Sequence, residues 1–196
     1  MDYCNLHELD KAEPILRRIV EKMPLHADAY RTLAQIHMER QEYDKAIDFN
    51  IESLKINPTN IWSLVLMGNI YNRKNDSQTA DVYFNKVLEY HPDDILALNN
   101  LGATYASRGE LDKSIEMFEK VIAQDPTYLN PYYGIALSYM RKGTLDKAFE
   151  TAVDGMKKGV YRPQDRTVRD ELQKLAMSVS ARIVERMNYD EIEFGM

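Results

Sequence analysis

The chain of 196 residues has one cysteine, Cys4, one tryptophan, Trp62, and only seven prolines. A single thiol permits no internal disulfide, and a reducing compartment, the cytoplasm, is the expected setting. No apolar run approaches the ~18 residues that a membrane-spanning helix needs. The start carries no secretory pattern either, since Asp2, Glu8 and Asp10 interrupt it. Positive charge is not in excess: 25 Lys and Arg stand against 31 Asp and Glu, a net charge of −6. That balance disfavours nucleic acid, which needs a basic footprint to displace counterions, and it disfavours an anionic membrane surface. Glycine-rich phosphate loops, Gly-x-Ser-x-Gly and His-Glu-x-x-His are all missing. No pair of carboxylates sits where a raised pKa is expected, so the sequence predicts no enzyme. Cys4 and His7 have the spacing of half a zinc site, but such a site takes about four ligands and no second pair is near. No metal and no cofactor is expected.

Four of the seven prolines, Pro24, Pro58, Pro92 and Pro126, recur at intervals of 34 residues. A fixed period of this size marks one supersecondary unit, copied and stacked so that neighbours bury each other's apolar faces. Helical spacing occurs twice per period. Tyr30, Leu33, Ala34 and His37 share a face, the pattern breaks at Gln41-Glu42, and Ala46, Asn50 and Ser53 mark a second seam. The next copies read Leu64, Met67, Gly68, Tyr71 with Ala80, Phe84, Val87, then Leu98, Leu101, Gly102, Tyr105 with Ser114, Phe118, Val121. The fourth reads Tyr132, Ile135, Ala136, Tyr139 with Ala148, Ala152, Gly155. Small residues such as Gly68 and Gly102 let two helices approach, and Phe84 and Phe118 fill the groove beside them. Ala46, Ala80, Ser114 and Ala148 admit the next hairpin. Asp44, Asp112 and Asp146 are expected to cap second helices, and the prolines to stop them. His37 is expected to pack with one ring nitrogen bonded, and His26 and His91 to be surface loop residues.

This pattern resembles the tetratricopeptide repeat family over roughly residues 1–158. The resemblance implies an all-α, right-handed superhelical solenoid of helix hairpins with a C-terminal capping helix. In its register, residues 1–26 are a partial repeat, mainly a second helix carrying Ala12, Leu16 and Ile19. A first-helix stub reaches about Leu6, and Pro14 falls in the first turn of the second helix. Residues 27–60, 61–94 and 95–128 are full repeats, 129–162 a degenerate last one, and 163–196 a capping helix and tail. Val168, Leu172, Leu175, Val179 and Ile183 form the cap's apolar stripe, and the tail is expected to fray after Asn188.

In this family first helices line the concave side and hold partner segments. The resemblance therefore implies a protein–protein interaction scaffold that takes an extended peptide in a groove. Its candidate contacts are Arg31, Gln35, Trp62, Val65, Leu66, Asn69, Arg73, Leu96, Asn99, Asn100, Asn130, Tyr133 and Arg141. Asn69, Asn99, Asn100 and Asn130 are amides that donate and accept at once, which suits a peptide backbone. Trp62, Val65, Leu66, Leu96 and Tyr133 are expected to make an apolar and aromatic floor. Some members grip the acidic tails of heat-shock chaperones with a set of Lys, Arg and Asn. The corresponding positions here are Arg31, Gln35, Leu66, Leu96 and Asn100, or one repeat on Val65, Asn69, Asn100, Asn130 and Gly134. The later frame keeps the amides and has no cation, so no acidic-tail clamp is expected. The alternative is an assembly module: Leu9, Leu16, Ile19 and Val20 belong to a helix whose partner is mostly absent, and that apolar edge suits a homo-oligomer or upstream sequence.

Overall fold

The computed structural model describes the backbone of residues 3–158 and 165–194, and the side chains of 11–158 and 165–186. The described residues form ten α-helices in succession and include no strand. They are α1 (Tyr3–Lys22), α2 (Ala27–Glu39), α3 (Tyr43–Ile56), α4 (Ile61–Arg73), α5 (Ser77–Tyr90), α6 (Ile95–Arg108), α7 (Leu111–Gln124), α8 (Leu129–Arg141), α9 (Leu145–Lys158) and α10 (Arg166–Phe194). They form two compact units, Met1–Pro92 and Asp93–Met196. The fold is the all-α repeat class that the period predicts.

Local chemistry sets where the helices start and turn. The side chains of His26, Asn60, Asp76 and Asp94 accept the backbone N–H groups of Ala29, Ser63, Thr79 and Ala97 at 3.1, 3.0, 3.1 and 2.8 Å. His26 is thus a helix cap and not only a loop residue. Asp44, Asp112 and Asp146 are not caps. Each lies within the first turn of its helix, where its charge favours the helix dipole. Their carboxylates reach other elements instead: Asp44 to Lys74 at 2.5 Å, Asp112 to Lys142, and Asp146 to Arg186 at 3.3 Å. Between the two helices of each hairpin one residue takes positive φ: Gln41 (62°), Asn75 (61°), Gly109 (81°) and Gly143 (77°). They stand 34 apart, a second register running through the chain.

In the first unit α2 pairs with α3 and α4 with α5, while α1 packs on α2. One core cluster joins Ala34, Met38, Ala46, Leu66 and Ile70. Buried polar groups bond between α3 and α4: Asn50 Nδ2 donates to the Ser63 carbonyl at 2.7 Å, and the Ser53 and Ser63 hydroxyls meet at 2.9 Å, while Asn50 Oδ1 stays buried without a partner. His37 is buried, bonds Glu42 through Nδ1 at 2.6 Å and stacks on Phe49 with ring centroids 5.1 Å apart. One period later Tyr71 stacks on Tyr83 at 5.7 Å. The stub and second helix expected before Pro24 run as one helix, so Pro14 is interior to α1 and not in its first turn.

In the second unit α6 pairs with α7 and α8 with α9, and α10 packs on both α8 and α9. Leu172, Leu175 and Val179 bury against Leu129, Tyr132, Ala136, Ala148 and Ala152. The helix continues through Phe194 and does not end near Asn188. Phe118 of α7 is the pivot of the other cluster, with Ile115 and Ile135. A Cβ on Gly102 would lie 2.9 Å from its ring, and one on Gly134 would overlap the ring outright. Two bare backbones on α6 and α8 therefore admit one aromatic ring.

Candidate functional site

That close approach leaves a hollow of about 320 Å³ between α6 and α8. Phe118 forms its floor. Asn99 and Ala103 of α6 and Asn130, Tyr133, Gly134 and Leu137 of α8 form its walls. Its one distinctive polar group is Asn99 Oδ1, which is buried and has no hydrogen-bond partner. An acceptor left so costs about 1–3 kcal/mol unless a donor arrives.

The remaining predicted contacts of this unit divide. Asn100 turns its amide back onto its own helix, donating to the Leu96 carbonyl at 2.8 Å. Asn130 is exposed and donates to the Tyr128 hydroxyl at 3.1 Å. Leu96 is half-buried, and Tyr133 packs partly against the α8–α10 core. Arg141 is exposed and donates to the Ala106 carbonyl, which joins the far ends of α8 and α6.

In the first unit, Trp62 is 59% exposed and Asn69 half-buried. Val65 and Leu66, expected in a solvated floor, are core: they are 6% and 4% exposed. The cause is α4 itself, which is apolar nearly all round (Leu64, Val65, Leu66, Met67, Ile70), so its periodicity does not separate a groove face from a packing face. Nearby cations are engaged with carboxylates. Arg31 pairs with Asp28 at 3.4 Å, Arg73 with Glu39 at 3.4 Å, and Gln35 donates to Glu39 at 2.8 Å.

At the N-terminal edge, Leu16, Ile19 and Val20 are half-buried. The exposed apolar residues are others: Ile15 (61%), Met23 (57%) and Leu25 (82%). Ile15, Arg18, Ile19, Lys22 and Met23 bound a hollow of about 250 Å³. A signal for Ile15 was present, since it stands one period before Phe49. Leu9, Cys4 and His7 lie outside the described side chains. Among the described residues no three His, Cys, Asp or Glu side chains gather as metal ligands, and no helix is long and apolar enough to cross a membrane.

Three family models, each described as tetratricopeptide repeat, match residues 6–65, 62–94 and 95–128. No curated protein matches the sequence. Among solved structures, PilW, a widely conserved type IV pilus biogenesis factor, is similar with a TM-score of 0.73 and 19% identity, over 95% of this chain and 90% of that one. MamA is similar with a TM-score of 0.69 and 23% identity, over 81% and 95%. YrrB, described as a tetratricopeptide repeat protein with an unusual peptide-binding site, gives a TM-score of 0.65 and 21% identity, over 87% and 86%.

Proposed function

The chain belongs to the tetratricopeptide repeat family, and on that premise we propose that it is a protein-interaction scaffold whose α6–α8 hollow seats an extended segment of a partner. The observation that carries this is the buried, unpartnered Asn99 Oδ1 inside an otherwise apolar hollow. An extended segment brings what the site needs. A backbone N–H meets the waiting acceptor, and the neighbouring apolar side chain fills the space over Phe118 against Leu137. Exposed Asn130 adds a second amide at the rim. The peptide-binding site described for YrrB supports the class of ligand, although its identity to this chain is too low to carry over any contact. The family is one of scaffolds and not of catalysts, and a cytoplasmic partner is the expectation.

Panning a random-peptide display library against the protein tests this. The wild-type chain enriches peptides with an apolar anchor, and Asn99→Ala weakens their binding about tenfold, ~1.4 kcal/mol. Ala103→Glu, at an exposed wall position, abolishes it by placing a carboxylate in the hollow. Peptides that bind wild type and Ala103→Glu alike would refute the seat. An acidic-tail peptide is expected to stay unbound, because Arg31 and Arg73 already face carboxylates.

A second reading is assembly through the N-terminal edge. It is favoured by the exposure of Ile15, Met23 and Leu25, three large apolar residues within eleven positions.

A further inference from the structure

We propose that copies of this chain associate head to tail, the exposed face of α1 in one copy receiving the exposed face of α10 in the next. This rests on the second reading above, that the α1 edge assembles, and adds what occupies it.

The repeat register identifies the kind of surface that α1 presents. Phe49 on α3 faces the first helix of its own hairpin, stacked on His37 of α2. Tyr83, one period later on α5, does the same against Tyr71 of α4. Ile15 is one period before Phe49 and so occupies the face that a first helix covers in those two hairpins. On α1 that face is open: Ile15 is 61% exposed, and a hollow of about 250 Å³ runs along it past Ile19 to Met23. The object that fits there is an antiparallel helix with an apolar stripe.

The described residues contain such a stripe on α10. This helix packs on α8 and α9 through Leu172, Leu175 and Val179, as α4 packs on α2 and α3. It therefore stands where a first helix stands. Its opposite side carries Met177, 67% exposed, and Val184, 54% exposed, seven positions apart with exposed Ala181 between them. The first unit thus offers an open second helix and the second unit an open first helix, and joining them between copies completes a hairpin.

Charge agrees with this seating. Lys11, Arg18 and Lys22 are exposed on α1, while Asp170 and Glu185 are exposed towards the two ends of the α10 stripe. An antiparallel approach brings Asp170 towards Lys22 and Glu185 towards Lys11. Lys174, beside the stripe, already holds Glu171 at 3.0 Å. Two α1 faces set against each other would instead oppose cations, which counts against a two-fold dimer. Since the joined faces differ, each added copy leaves one face open, and growth continues or closes into a ring.

Sedimentation velocity of the full chain from about 1 µM to about 1 mM reads the outcome. The wild-type protein gains mass with concentration beyond a dimer. Ile15→Glu and Met177→Glu each remain monomeric with unchanged helicity by circular dichroism. An equimolar mixture of those two variants forms a single complex of twice the monomer mass and grows no further, because each supplies the face that the other lost. A mixture that stays monomeric overturns the proposal. So does association abolished by Ile15→Glu but untouched by Met177→Glu, which leaves the α1 edge as an interface and removes α10 from it. A wild-type protein that is monomeric throughout sinks both the proposal and the edge reading.

Discussion

Glu13 is where α1 is tied to α2. Its carboxylate accepts from Arg40 at 2.5 Å and lies 2.7 Å from the Arg17 guanidinium, with His37 Nε2 3.6 Å away. The hydrogen bond from Arg40 comes first among the causes that hold its carboxyl below the usual glutamate range, and Arg17 adds to it against the opposing effect of burial. A carboxyl whose folded pKa is depressed contributes stability above its unfolded pKa and loses that contribution as pH falls through the folded value. The Glu13→Gln variant is therefore expected to be less stable than wild type at neutral pH, by about 1 kcal/mol for a partly screened pair. The two denaturant curves should converge as pH drops below the ordinary glutamate range. A difference that persists unchanged in acid would mean that packing, and not the charge, is what Glu13 contributes.

At the scale of the element, the turn inside each hairpin has one demand, a residue with positive φ. Gly109 and Gly143 meet it freely, whereas Gln41 and Asn75 hold it with a side chain. A left-handed conformation costs an ordinary L-residue roughly 1–2 kcal/mol, less for asparagine. Gln41→Gly is thus expected to raise the melting temperature of the first unit more than Asn75→Gly does, and Gly143→Ala to lower that of the second. Equal or opposite shifts would show that the turns are not strained. This register was legible in the sequence only at Gly109 and Gly143, since Gln41 and Asn75 carry no glycine signal. Elsewhere the hairpins were legible because paired positions recur: a small residue at Gly68 and Gly102 faces an aromatic at Phe84 and Phe118. Which side of an apolar helix faces a neighbour was not legible, and Val65 and Leu66 went to the core for that reason. Nor was capping, because Asp44 and Asp112 sit two residues past the capping positions Glu42 and Glu110, inside the first turns of their helices. At the candidate seat the residue types were readable, but the lone state of Asn99 Oδ1 depends on Asn100 and Asn130 having found partners of their own.

At the scale of the whole molecule, each unit has a core of its own, and stacked repeats take their stability from their own hairpins and nearest neighbours. Damage in one unit should therefore stay largely local. Phe84 is fully buried against Gly68 in the first unit, and Phe84→Ala is expected to cost about 3–5 kcal/mol there. Amide hydrogen exchange followed by mass spectrometry should then show protection lost first in α4 and α5, while α8 and α9 keep theirs. The α6–α8 hollow is expected to go on capturing its peptides in that variant, because Phe118, Gly134 and Asn99 all belong to the second unit. Self-association should weaken in the same sample as damage spreads through α2 to α1, the element that it seats. Exchange rising uniformly along the chain, with peptide capture lost in step, would mean that the two units unfold as one and that seat and edge are not separable.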